Sequence, residues 1–122
     1  MPVRLLTLIT LLTLAGCGSA GAPVRTSDTS FTVKLDEYTI RPQQLRVPAG
    51  KRLTVTVSND GRLAHTFRVR GPSGRNILAI TAIKPGESAK KSFSPGKGTY
   101  TMYCVLANHE ELGMNGKLTV GR

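Results

Sequence analysis

Apolar and polar residues alternate through most of this chain. In 31–35 (FTVKL) Phe31, Val33 and Leu35 fall on one face, and in 52–59 (RLTVTVSN) Leu53, Val55 and Val57 do the same. Residues i and i+2 of a strand share a face, so each segment predicts a half-buried strand. The stretch 65–71 (HTFRVRG) puts His65, Phe67 and Val69 inward and turns Arg68 and Arg70 outward. Short runs at 77–83 (ILAITAI), 88–94 (SAKKSFS), 99–105 (TYTMYCV) and 116–120 (GKLTV) add further strands. Turn residues separate them: Asn59-Asp60-Gly61, Lys84-Pro85-Gly86 and Ser94-Pro95-Gly96. Two prolines in 39–50 (TIRPQQLRVPAG) predict a bent or edge segment. No helical periodicity follows Gly18, although 74–84 leaves room for a turn of helix. Seven or eight short strands over about 90 residues predict an antiparallel β-sandwich.

The same alternation places chemistry. Cys104 shares the inward face of its strand with Tyr100 and Met102, and His65 that of its own with Phe67 and Val69. Both side chains are therefore expected at one end of the core. Within 103–114 (YCVLANHEELGM), four residues separate Cys104 from His109 and four more separate His109 from Met114. The chain holds two His in all. A thiolate, two imidazoles and a thioether form the donor set of a blue-copper site, with Cys and both His in a plane and Met as a weak axial ligand. His65, Cys104, His109 and Met114 are the expected metal ligands, holding one type 1 copper. A buried Cys or Met alone is ordinary core filling; the joint pattern at the end of a strand is what points to a metal.

The 103–114 segment resembles the C-terminal copper loop of the cupredoxins, the small blue-copper proteins. The stretch 36–61, with its Val47-Pro48-Ala49-Gly50 and Asn59-Asp60-Gly61 punctuation, is similar to the N-terminal half of that family. The resemblance covers about residues 31–120 and implies a Greek-key β-sandwich (cupredoxin-like) that carries single electrons. Many cupredoxins have Asn directly after the first His ligand, where it ties the two ligand loops together. Thr66 occupies that position, and its hydroxyl is expected to do part of this work. Backbone N–H groups near Thr66 and Leu106 are the expected donors to the Cys104 sulfur. Tyr100 resembles the tyrosine-corner position of sandwich folds, an ordinary core tyrosine being the other reading.

The N-terminus reads differently. Arg4 precedes an apolar run over 5–14 and then Leu14-Ala15-Gly16-Cys17. The run falls short of the roughly 20 residues a membrane span needs, and the layout is that of a secretory signal. Leu-Ala-Gly-Cys resembles a bacterial lipobox, which implies cleavage after residue 16 and lipidation of Cys17; the alternative is a plain signal cut near Ala20 or Ala22. Residues 17–30, small and polar, would form a lipidated N-terminus and flexible tether spanning roughly 20 Å, and 31–122 the copper domain. With Cys17 carrying lipid, Cys104 has no disulfide partner.

The charge, 17 Lys and Arg against 7 Asp and Glu, raises nucleic-acid binding as an option. Export and the scatter of the basic residues argue against it, and favour a basic surface drawn to anionic lipid or an acidic partner. With both His spent on one site, none is left for a second copper, and no acidic pair suits acid–base work, so no enzyme activity is expected. The expectation is an exported, lipid-anchored electron carrier, monomeric, on the periplasmic or cell-surface side of a bacterial membrane. Redox partners would dock near His109, inside an apolar ring of Leu63, Leu106, Ala107 and Leu112 flanked by Glu110 and Glu111. Two alternatives are a copper carrier or scavenger that delivers the metal, and an interaction module that keeps the fold without metal.

Overall fold

The computed structural model describes residues 22–121; the signal segment and Cys17 lie outside them. Ten strands are found there and no helix: β1 (Val24–Arg25), β2 (Ser30–Asp36), β3 (Thr39–Arg41), β4 (Gln44–Val47), β5 (Leu53–Asn59), β6 (His65–Arg70), β7 (Asn76–Ile83), β8 (Ser88–Phe93), β9 (Gly98–Tyr103) and β10 (Asn115–Val120). They form two sheets, one ordered β1-β4-β10-β9-β6-β7 and the other β3-β2-β5-β8. The all-β sandwich is as expected. Its strand count is higher for two reasons: Val24–Arg25, within the segment expected to be a tether, pairs with β4 as β1, and the proline-bearing segment makes two strands, β3 and β4, one in each sheet. Pro42 supplies the break, since it has no N–H for a ladder. Segment 74–84 holds β7, not a turn of helix.

The sheets are mixed, where a fully antiparallel sandwich was expected. β2 runs parallel to β5, and β4 runs parallel to both β1 and β10. Alternation reports which face of a strand is buried and carries no information about strand direction. The crossing of the chain from β3 to β4, between sheets, is what makes β2 and β5 parallel neighbours.

The inward faces match the pattern read from the sequence. In β5 Leu53, Val55, Val57 and Asn59 are buried and the residues between them half-buried. Tyr100 donates its hydroxyl to the Gly96 carbonyl at 2.8 Å, the backward bond of a tyrosine corner. Asn59 is a buried polar residue whose amide is fully used. Its Nδ2 donates to the carbonyls of Leu63 and Ile83, both at 2.8 Å, and its Oδ1 accepts the Gly61 N–H at 2.9 Å. This fixes the turn that delivers β6, and so fixes where His65 begins its strand. Beside it, β7 carries a bulge: the register slips between His65–Ile83 and Phe67–Ile80, with Ala82 at φ 51°. Bulges concentrate where a sheet re-aims a side chain, and this one lies opposite Thr66.

Candidate metal centre

β6 and β9 pair antiparallel, Arg68 against Tyr103 and Val69 against Met102. Carrying that register to the end of the sheet sets Thr66 opposite Val105, with His65 and Cys104 inside. Cys104 directly follows β9 and Met114 directly precedes β10, the two strands pairing Asn115 with Tyr103. Residues 105–113 must therefore close a loop over the end of the core. They do so by tight turns: His109 N–H to Leu106 C=O at 3.0 Å, Leu112 N–H to Asn108 C=O at 3.0 Å, and Gly113 N–H to Glu110 C=O at 3.1 Å. Gly113 sits at φ 110°, open to glycine and strained for other residues.

The loop returns His109 to the strand-borne donors. The ligand atoms of His65, Cys104 and His109 all lie within 4.8 Å of one another, and all three residues are buried. His65 and Cys104 have no exposure and His109 has 8%. Cys104 Sγ and His109 Nδ1 are 3.6 Å apart, a separation that two donors adopt when both bind one ion. The Nδ1 of His65 is buried without a hydrogen-bond partner. Leaving such an atom unpaired costs about 1–3 kcal/mol, which a bound metal removes. The residues fit a metal, and the mixture of one thiolate with two imidazoles suits copper.

Met114 is fully buried in the core cluster that also holds Cys104. Its N–H donates to the His109 carbonyl at 2.9 Å and its carbonyl accepts the Cys104 N–H at 3.3 Å. The backbone thus links all three loop residues expected as ligands. Thr66 N–H donates to the Cys104 sulfur at 3.4 Å and the Thr66 hydroxyl does so at 3.5 Å. The same hydroxyl accepts the Val105 N–H at 2.9 Å, tying the two ligand segments together. Among the described residues Leu106 N–H makes no bond to the sulfur, so of the two expected backbone donors Thr66 alone is in place.

Further contacts were not legible in the sequence. The β2–β3 turn consists of Glu37 and Tyr38, and each reaches one histidine. Glu37 Oε1 lies 3.0 Å from His65 Nε2, and the Tyr38 ring packs edge-on against His109 with centroids 4.9 Å apart. The one available signal was a bulky acidic–aromatic pair at a hairpin tip, where Asn and Gly are the usual occupants. Arg70, expected to point into solvent, instead clamps the loop. It pairs with Glu110 through both terminal guanidinium nitrogens and lies over the Tyr103 ring at 4.2 Å. The Glu110 bond raises the Arg70 pKa above its ordinary value. Of the expected apolar ring, Leu63 and Leu112 are exposed, while Leu106 is half-buried against the core.

Fold and site define a class: a β-sandwich with one buried mixed sulfur–nitrogen metal centre under the loop at one end. The model of the cupredoxin-like domain matches residues 4–120, and the chain belongs to that family. No curated protein matches it significantly. Among solved structures it is similar to dithionite-reduced auracyanin from the photosynthetic bacterium Roseiflexus castenholzii, with 22% identity, a TM-score of 0.72, and coverage of 80% of this chain and 100% of that one. Rusticyanin from Thiobacillus ferrooxidans shares 18% identity with a TM-score of 0.68, covering 84% of each chain. Auracyanin B shares 21% with a TM-score of 0.66, over 85% of this chain and 94% of that one.

Proposed function

We propose that the protein is an exported type 1 copper protein that carries single electrons. The observation that carries this is the buried cluster of Cys104, His65 and His109 donors within 4.8 Å of one another. When bound, copper supplies a one-electron couple. The protein's part is to hold nearly the same coordination in both oxidation states, so that little reorganises on transfer. Its rigid frame suits that: Thr66 bridges the sulfur to Val105, Asn59 pins the turn before His65, and Arg70 pins the loop. Met114 would add a thioether to the donor set that holds copper, and its burial would keep water from the centre. His65 is the inner histidine. His109, slightly exposed, is the one from which electrons leave toward a protein partner docked on Leu63 and Leu112.

Burial of every donor weighs against copper delivery, which needs ligands that can be handed over. The chain's two His both stand in this cluster, leaving none for a second, catalytic copper. A lipid at Cys17 would hold a monomeric domain to a bacterial membrane on its periplasmic or outer side. Basic residues support that orientation. Arg25, Arg46 and Lys97 line an open cleft of about 450 Å³; Lys97 precedes β9 and Cys104 follows it, so cleft and donors lie at opposite ends. An anionic lipid surface at that pole leaves His109 facing away.

The test is the absorption and EPR spectrum of the purified chain loaded with Cu(II). One copper per chain, intense visible absorption and loss of colour in Cys104→Ala are expected. A colourless Cu(II) complex overturns the assignment.

A further inference from the structure

Glu37 has the features of a built part of the site. Its Oε1 accepts the N–H groups of Arg62 and Leu63, each at 2.9 Å, and Oε2 accepts Arg62 N–H again at 3.0 Å. Those amides lie in the turn that Asn59 braces from beneath. Gly61 makes the room: a Cβ there would collide with the Glu37 carboxylate. The carboxylate is thus held by two backbone donors in a pocket that only glycine leaves open, and its remaining contact is His65 Nε2 at 3.0 Å. Backbone N–H groups donate to both of its oxygens, so the Glu37 carboxyl stands as a pure acceptor, the role of the carboxylate anion.

An ionised carboxylate only accepts hydrogen bonds. In a neutral imidazole the one proton must therefore sit on Nε2, in the contact with Glu37, which leaves the lone pair on Nδ1. That is the atom found buried and unpartnered in the donor cluster. A histidine that donates its far N–H to a carboxylate is both oriented and made more basic toward a metal. A fixed negative charge behind the ligand also favours the more positive metal state. With one thiolate, Cu(II) leaves a net +1 on the site and Cu(I) leaves it neutral; the carboxylate offsets the first and burdens the second.

We propose that Glu37 is the positioning residue of this centre: its carboxylate fixes His65 as the Nε2–H tautomer, aims Nδ1 at the metal, and lowers the reduction potential of bound copper. This rests on the copper reading above for its last clause only, since the tautomer belongs to the metal-free protein.

The experiment has two arms on the full chain. In the first, long-range ¹H–¹⁵N NMR of the metal-free protein at neutral pH reads the His65 tautomer. The parent should show Nε2–H alone. Gly61→Ala, which displaces the carboxylate without touching either partner, should give a mixture of tautomers. Glu37→Gln keeps an oxygen acceptor and should keep the parent tautomer. In the second arm, Glu37→Gln should shift the Cu(II)/Cu(I) affinity ratio about tenfold toward Cu(I), a rise of about 59 mV for one electron, with the visible band retained. Nδ1–H in the parent, an unmixed parent tautomer in a folded Gly61→Ala, or an unchanged potential in Glu37→Gln each overturns the proposal. If the tautomers behave as expected but the copper complex is colourless, the positioning role stands and the electron-carrier reading fails.

Discussion

Thr66 reaches the Cys104 sulfur twice, through its N–H at 3.4 Å and its hydroxyl at 3.5 Å. Hydrogen bonds to a thiolate draw electron density from it and favour the reduced metal. Thr66→Val retains the backbone bond and the side-chain shape but removes the hydroxyl. The potential should fall, and Val105 N–H, left without its 2.9 Å acceptor, should cost about 1–2 kcal/mol of stability. Voltammetry of the copper form and urea unfolding of the metal-free form measure the two effects separately. An unmoved potential would show that the hydroxyl serves Val105 alone.

Met114 tests the fourth ligand. Met114→Leu should keep copper and raise the potential, because a donor to Cu(II) is replaced by hydrocarbon. Met114→Gln should lower it through a harder oxygen donor. If both variants match the parent potential, Met114 is core packing and not a ligand.

Two of the clustered donors were readable from residue order because strand alternation turns them inward, and His109 because it follows Cys104 closely in one short loop. Cys104 follows Tyr100 and Met102 in period two, and His65 leads Phe67 and Val69. The outer contacts were hidden for a physical reason. Glu37 is 28 positions from His65, and the two meet only because β2 and β5 are neighbours and a turn follows each. Local pattern does not encode which strands pair, nor that β2 and β5 run parallel. Arg70 misled for a related reason. It does lie on the outer face of β6, but that face is where the ligand loop folds back, bringing Glu110 against it.

The Arg70–Glu110 pair is partly exposed, at 34% and 33% of the side chains, so its Coulomb energy is screened. The forked geometry and the stack on Tyr103 should still make Arg70→Ala cost about 1 kcal/mol. A double-mutant cycle with Glu110→Gln, read by chemical unfolding at low and high salt, isolates the ion pair. A coupling near zero at low salt would leave the stack as the whole effect.

Gly116 lies where β10 passes β4. A Cβ there would meet the Gln43 carbonyl oxygen at 2.6 Å and the Met102 methyl at 3.0 Å. The backbone carbonyl cannot swing aside, because Gln43 C=O accepts Lys117 N–H at 2.7 Å. Gly116→Ala should therefore lose about 1–3 kcal/mol as the strands separate. Thermal unfolding of the metal-free form checks this, and a midpoint equal to the parent's would contradict the crowding.

Electron exit is tested at the surface. Leu112 is 50% exposed and Leu63 44%, whereas Leu106 is partly packed inward and a poor probe. On a chain with net charge +10, Leu112→Lys should slow electron self-exchange by adding repulsion at the contact face, most at low ionic strength. NMR line broadening of mixed oxidation states measures the rate. Exchange as fast as the parent's would place the exit elsewhere.

The two-residue turn between β2 and β3 has a consequence for engineering. Glu37 touches one histidine and Tyr38 the other, so a tip remote in sequence from the Cys104–Met114 loop holds the environment of both rings. Transplanting that loop, with its three donors, onto another sandwich would carry over the donor atoms and leave their setting behind. A search of genomes by ligand spacing alone would likewise rank together proteins of quite different redox character. Swapping this short tip between relatives offers a way to retune the metal while every coordinating residue stays native.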